Sequence, residues 1–304
     1  MGGRTREAQA CMGAAMTITD PIIVGAGRWG SRVAQCLDSL TGVYLREIID
    51  VDRALAQRLA DRMLHIRRGR GETTGAPGAT DSLAGYLHTM APKNIVVATG
   101  PRHRKTVIDT LMGFSHQLDN GSVRIEKPLG LTSSEARKYA DRFEEASVNL
   151  TVGFTLLHHP LYQAAFDILR MTGRDVEAVD SVRIGRSSPH DISPMLDLGI
   201  HSAAVSAYLE RVQGRVIETV INCGDSDFAV IRQTRIIAGG VELEIDEVAN
   251  TLTLNGKSVV VQQFYDALEL DVTAWVQGDH RGTPEIAVRA HEIIEDQAFG
   301  ELAL

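Results

Sequence analysis

The chain has 304 residues, 44% of them hydrophobic and 23% charged, and 39 acidic against 31 basic side chains leave a formal net charge of −8. That length supports roughly two domains whose core needs neither disulfides nor metal, and the composition excludes a disordered chain and argues against a general nucleic-acid binder. Cys11, Cys36 and Cys223 show no paired spacing, which argues against a disulfide framework and for a reducing, cytoplasmic setting; no apolar run approaches the ~20 residues of a membrane span.

Residues 1–16 carry early charge but no sustained apolar core, so they are expected to form a flexible extension rather than a signal peptide. Met1 and Met16 both remain open as the start. Pro21-Ile22-Ile23-Val24 then reads as a short buried strand. It runs into Gly25-Ala26-Gly27-Arg28-Trp29-Gly30 and a helix whose apolar residues Val33, Ala34, Leu37 and Leu40 keep helical spacing. Tyr44–Asp50 reads as the next strand, Arg53–Leu64 as a helix, and the Gly/Thr/Pro-rich stretch Arg70–Thr80 as a loop. Asn94–Ala98 is another strand, with a helix around Lys105–Met112. Val123–Ile125 is one more strand, before Glu126-Lys127-Pro128; a trans bond is expected before Pro128. Strands alternating with helices imply a parallel sheet covered on both faces.

The second half changes character. Helices are expected near Leu161–Met171 and Asp197–Leu209. Strands are expected at Val179–Ile184, Val216–Cys223, Phe228–Ile237, Val241–Asp246, Thr251–Leu254 and Ser258–Gln262. Val241, Leu243 and Ile245 alternate with Glu242, Glu244 and Asp246, the period of a strand with one wet face. Asn255-Gly256 signals a two-residue hairpin. A last helix opens at Thr283-Pro284-Glu285. The fold class is therefore α/β, with a flexible extension at 1–16, a dinucleotide-binding domain of Rossmann type over 17–129, and an α/β domain with an open, largely antiparallel sheet over 130–304.

GAGRWG places glycine at the three key positions of a dinucleotide fingerprint. Gly25 permits a tight turn, Gly27 lets backbone approach a pyrophosphate, and Gly30 lets the helix pack closely on the strand. The free N–H groups at the helix start favour phosphate. Asp50 ends the second strand 20 positions past Gly30, where a carboxylate binds ribose hydroxyls and favours NAD over NADP. The alternative role for Asp50 is a cap for the helix from Arg53.

Four segments resemble, in order, those of the Gfo/Idh/MocA family (glucose–fructose oxidoreductase, inositol dehydrogenase and rhizopine-catabolism proteins). They are Gly25–Gly30, Ala98-Thr99-Gly100-Pro101-Arg102-His103, Glu126-Lys127-Pro128-Leu129 and Asp197-Leu198-Gly199-Ile200-His201. The resemblance implies an NAD(P)-dependent oxidoreductase with NAD, or NADP, between the domains. It implies cofactor contacts from Gly25, Gly27, Arg28, Trp29, Gly30, Asp50, Thr99, Pro101, His103 and Glu126. It implies chemistry at Lys127, Asp197 and His201, a small-molecule substrate such as a sugar or cyclitol, and a homodimer or homotetramer. Two segments depart from the pattern. Gly153-Phe154-Thr155-Leu156-Leu157-His158-His159-Pro160 has leucines where the family has arginines, and Ile192–Leu196 lacks the family's glycine run. The leucines open a second reading, reduction of a C=N bond in a less hydroxylated substrate. A non-catalytic NAD-binding sensor is a third.

From the residues themselves, Asp197 and His201 stand four apart and share a helical face. A carboxylate beside an imidazole sets its tautomer and raises its basicity, and Lys127 can stabilise a developing oxyanion. Each also has an ordinary structural role: Asp197 as a helix cap, His201 as a packed histidine, Lys127 as a surface lysine. His158, His159, His190 and His201 complete no known metal spacing, so no metal is expected.

Overall fold

The computed structural model describes residues 18–118, 120–186, 192–262, 266–279 and 281–301; the expected extension lies outside them. Two six-stranded sheets form the body. The first is wholly parallel in the order β3-β2-β1-β4-β5-β6, from β1 (Ile22–Val24), β2 (Glu47–Ile49), β3 (Gly78–Thr80), β4 (Asn94–Val97), β5 (Ser122–Glu126) and β6 (Asn149–Gly153). Helices cover both of its faces, as parallel crossovers require. They are α1 (Arg28–Ser39), α2 (Arg53–Gly69), α3 (Leu83–Thr89), α4 (Pro101–Gly113) and α5 (Ser133–Glu145). The stretch expected to be a loop contributes β3 at its end. Strand β6 carries the sheet past the expected boundary at residue 129: Val123 faces Leu150 and Ile125 faces Val152.

The second sheet runs β12-β11-β10-β9-β7-β8, from β7 (Val176–Gly185), β8 (Glu218–Asp225), β9 (Ile231–Ala238), β10 (Val241–Asp246), β11 (Thr251–Leu254) and β12 (Lys257–Val259). It is antiparallel except for the parallel pair β7/β8 at one edge. Asn255 and Gly256 turn the β11/β12 hairpin with φ of 50° and 73°, the left-handed conformation such a turn demands. One face of this sheet, with Val179, Ile236, Leu243 and Ile245 buried, packs against α6 (Pro160–Thr172) and α7 (Ile200–Gln213). The helix α9 (Pro284–Glu301) lies against α7 and α5.

The two domains are not consecutive stretches of chain. Helix α8 (Ala267–Val276) returns to the first sheet, where Leu268, Val272 and Trp275 share a core with Ile23, Val33, Leu37 and Met63. Trp275 Nε1 donates to Ser122 Oγ at 2.9 Å. This helix has no single apolar stripe because it is buried on most sides, so its sequence shows no amphipathic period.

Candidate active site

The fingerprint is built as a tight turn between β1 and α1. Gly25 has φ of 105°, and a Cβ there would lie 2.9 Å from Ala98 C and Thr99 N, so the turn after β1 rests on the turn after β4. A Cβ on Gly30 would overlap the carbonyl oxygen of Gly25 and lie 3.0 Å from its carbonyl carbon; the helix approaches the strand that closely. Gly27 differs, because nothing stands within 4 Å of the place its Cβ would take. Gly27 is also the N-cap of α1 and has no side chain to satisfy the first helical N–H groups. Open space faces unfilled donors at a positive helix end, which is the arrangement that binds phosphate.

Asp50 lies beneath this turn. Its Oδ2 accepts from Ala26 N at 2.7 Å and its Oδ1 from Asp52 N at 2.9 Å. Capping of α2 falls to Asp52, which accepts from Ala54 N and Leu55 N. The structural alternative for Asp50 is therefore taken by its neighbour two residues on. Val51, beside it, is 94% exposed. Arg28 is exposed, and half-buried Trp29 has the Arg32 guanidinium 5.0 Å from its ring centroid. Trp29 Nε1 and Thr99 Oγ1 are buried polar atoms without hydrogen-bond partners among the described residues. Pro101 opens α4 behind Gly100, and His103 is exposed on its first turn.

Arg104, which the sequence reading passed over, is buried and donates to Thr99 O at 2.8 Å. Burial pushes its guanidinium down to about 10. Glu126 is buried and takes an ion pair from Arg124, whose Nη2 also reaches Asp271 Oδ2 at 2.5 Å. Its carboxylate is thus committed to a buried network between β5 and α8. The Lys127–Pro128 bond that follows is cis, not trans.

Lys127 and Asp197 are brought together. Lys127 Nζ donates to Asp197 O at 2.6 Å and to Asp197 Oδ1 at 2.9 Å. Burial pushes the ammonium pKa down while Asp197 pulls it back up. The Lys127 side chain keeps 17% of its exposure. An ammonium has three donors; Asp197 takes two.

His201 departs from the expectation. Residues Met195–Gly199 form a π-turn ahead of α7, so the four-residue spacing does not carry the regular helical register. The Asp197 carboxylate bonds Lys127, and His201 Nδ1 is buried without a hydrogen-bond partner among the described residues. Burial and the cations of Lys127, Arg183 and Arg232 hold the imidazole well below its ordinary value. The expected raised basicity is therefore reversed, because the ring is buried and the charges acting on it are cations.

A buried cluster supports this end of the site. Arg183 Nε donates to Ser202 Oγ at 2.6 Å, and its Nη2 pairs with Glu247. Tyr162 OH donates to Glu247 Oε1 at 2.8 Å. Only charges breaking the apolar period of β7 and β9 hinted at it in the sequence. Leu156 and Leu157 are core residues at 5% and 0% exposure. His158 Nε2 faces Asp271 Oδ1 at 3.6 Å, whereas His159 Nδ1 accepts from Leu161 N as the cap of α6. The paired histidines thus point apart. His190 lies outside the described residues, and among those described no group of three or more His, Cys, Asp or Glu could hold a metal ion.

A Rossmann sheet with an open glycine cradle, Asp50 beneath it and a Lys–Asp pair beyond β5 defines an NAD(P)-dependent oxidoreductase. Residues 21–154 match the Gfo/Idh/MocA family model, described as an oxidoreductase family with an NAD-binding Rossmann fold, and three of the four resembling segments lie within that span. No curated protein matches the chain. Among solved structures, UDP-N-acetylglucosamine 3-dehydrogenase GnnA from Acidithiobacillus ferrooxidans is 18% identical with a TM-score of 0.73, over 93% of this chain and 97% of that one. A 3-ketoreductase from Actinomadura kijaniata in complex with TDP-benzene and NADP is 13% identical with a TM-score of 0.71, over 93% and 98%. GenD2 from gentamicin A biosynthesis, in complex with NAD, is 17% identical with a TM-score of 0.71, over 96% of each chain. These likenesses establish the fold. No helix of the described residues is long and apolar enough to cross a membrane.

Proposed function

We propose that this protein is a cytoplasmic oxidoreductase that interconverts C–OH and C=O on a small organic substrate, at the expense of NAD(H) or NADP(H). The observation that carries the reading is the Lys127–Asp197 pair: a partly buried ammonium with two donors fixed and its third uncommitted among the described residues. The open cradle at Gly27, the uncapped start of α1 and the partnerless Thr99 hydroxyl fit a dinucleotide. Gly25, Gly27, Arg28, Trp29, Gly30, Asp50, Thr99, Pro101, His103 and Glu126 are proposed to hold or support it. When bound, the nicotinamide supplies or takes up the hydride.

The chain's own residues handle the proton. Lys127 donates its free N–H to the substrate oxygen and stabilises charge that develops there. Asp197 fixes the ammonium and keeps it positive. His201, held neutral, hydrogen-bonds the same substrate without competing for the proton. The structural neighbours with UDP-N-acetylglucosamine 3-dehydrogenase and 3-ketoreductase titles support a hydroxylated, sugar-nucleotide-like substrate. Assembly as a homodimer or homotetramer is part of this proposal on the strength of the motif resemblance alone. A panel of keto and hydroxy sugar nucleotides, followed by nicotinamide absorbance, tests the reading. Turnover of at least one is expected; tight cofactor binding with no turnover of ketones, alcohols or imines would make the protein a sensor instead.

A further inference from the structure

On the inner face of the second sheet, β7 and β9 place Val179 opposite Ile236, Ser181 opposite Thr234 and Arg183 opposite Arg232. The face changes from apolar to charged along its length, and its charged end neighbours His201. Two guanidinium groups directly opposed on adjacent strands repel each other. Arg183 is neutralised: it is buried and bonded to Glu247, Ser202 and Tyr162. Arg232 is exposed, and its side chain makes no hydrogen bond or ion pair among the described residues. It contributes nothing to the core.

The charges around His201 do not balance. Lys127, Arg183 and Arg232 act on it as cations. Two carboxylates are bonded to this set, Asp197 to Lys127 and Glu247 to Arg183. With the imidazole neutral, the cation of this set bonded to no carboxylate among the described residues is Arg232.

We infer that Arg232 is a specificity-determining residue that binds an oxyanion substituent, phosphate or diphosphate, on the substrate. The inference rests on the reaction site proposed above and adds to it the residue that holds the substrate's anionic group. A planar guanidinium with its donors uncommitted matches the paired oxygens of a phosphate. Its place beside His201 puts the anionic group on the substrate side of the proposed reaction site.

The test is calorimetric titration of NADH-saturated protein with UDP, with uridine as the uncharged control. Saturation with NADH fills the dinucleotide cradle, so UDP reports on a different site. UDP is expected to bind the unmodified protein and uridine far more weakly. Arg232→Gln should lower UDP affinity about 10- to 100-fold, the worth of hydrogen bonds to a charged partner, and Arg232→Lys should retain part of it. Affinity for NADH should be the same in all three, and unchanged thermal midpoints confirm intact folding. Equal UDP affinity in Arg232→Gln and the unmodified protein would overturn the inference, as would uridine binding as tightly as UDP or no UDP binding at all. Failure of the protein to bind NADH would instead sink the proposed reaction, and the UDP titration is read separately from that result.

Discussion

Substitution of the second and third glycines of the fingerprint should separate ligand binding from folding. At Gly30 an added methyl group overlaps the carbonyl oxygen of Gly25, and the obstacle is backbone, whose own turn is fixed against Ala98 and Thr99. Overpacking of this kind costs about 1–3 kcal/mol, with a rigid obstacle at the upper end. Alanine returns about 1 kcal/mol through its better helix propensity. Gly30→Ala should therefore lose about 2 kcal/mol of stability and, because the turn must move, NADH affinity as well. At Gly27 nothing stands within 4 Å of the new atom, and φ of −65° suits any residue. Gly27→Val should cost less than about 1 kcal/mol as a poorer helix cap, yet its side chain fills the space assigned to the pyrophosphate. NADH affinity should fall at least about tenfold, equivalent to ~1.4 kcal/mol. Denaturant unfolding and calorimetry on both variants provide the comparison. Unchanged NADH affinity in Gly27→Val would refute the placement of the cofactor, and a fully stable Gly30→Ala would refute the packing argument.

The carboxylate of Asp50 accepts from Ala26 N and Asp52 N, so Asp50→Ala should weaken NADH binding about tenfold and raise the relative affinity for NADPH. Tighter binding of NADPH than NADH by the unmodified protein would remove the proposed role of Asp50. Burial depresses the His158 pKa to about 4, so below its unfolded value of about 6.5 the unfolded chain binds the extra proton first and stability falls as pH falls. Between about pH 7.5 and pH 5 this one group should remove about 2 kcal/mol. His158→Gln should flatten that part of the urea-midpoint profile; an identical slope in the variant would show that other groups carry it.

Local signals made the first domain legible. The β1 turn, the fingerprint and Asp50 lie within one short stretch, and each glycine's role follows from backbone geometry that the motif itself encodes. The hairpin at Asn255-Gly256 was legible for the same reason. Elements without a local period escaped. Strand β3 is only Gly78–Thr80, and α8 is apolar on most sides because it is sandwiched against the first sheet. Strand β6 continues the first sheet past residue 129, because the Glu126-Lys127-Pro128 motif ends a strand but not the sheet.

The site was legible as a set of residues but not as a set of bonds. Lys127 and Asp197 do meet, though 70 positions separate them. The environment of His201 depends on Arg183 and Arg232, charges from strands that reach it only through the second sheet's register. Glu126 is claimed by Arg124, which is tied in turn to Asp271 147 positions away. No spacing rule within one segment can foresee which of several carboxylates a buried cation selects.

Single-turnover hydride transfer in the unmodified protein, Lys127→Ala and His201→Ala, with a substrate found in the sugar-nucleotide panel, tests the central claim most directly. Lys127→Ala should slow transfer by roughly 10²–10⁴-fold, the usual worth of a positioned acid–base group, with NADH affinity little changed. His201→Ala should be milder, because a neutral imidazole contributes a hydrogen bond rather than the proton. Near-normal transfer in Lys127→Ala would contradict the account and return the Lys127–Asp197 pair to a structural role.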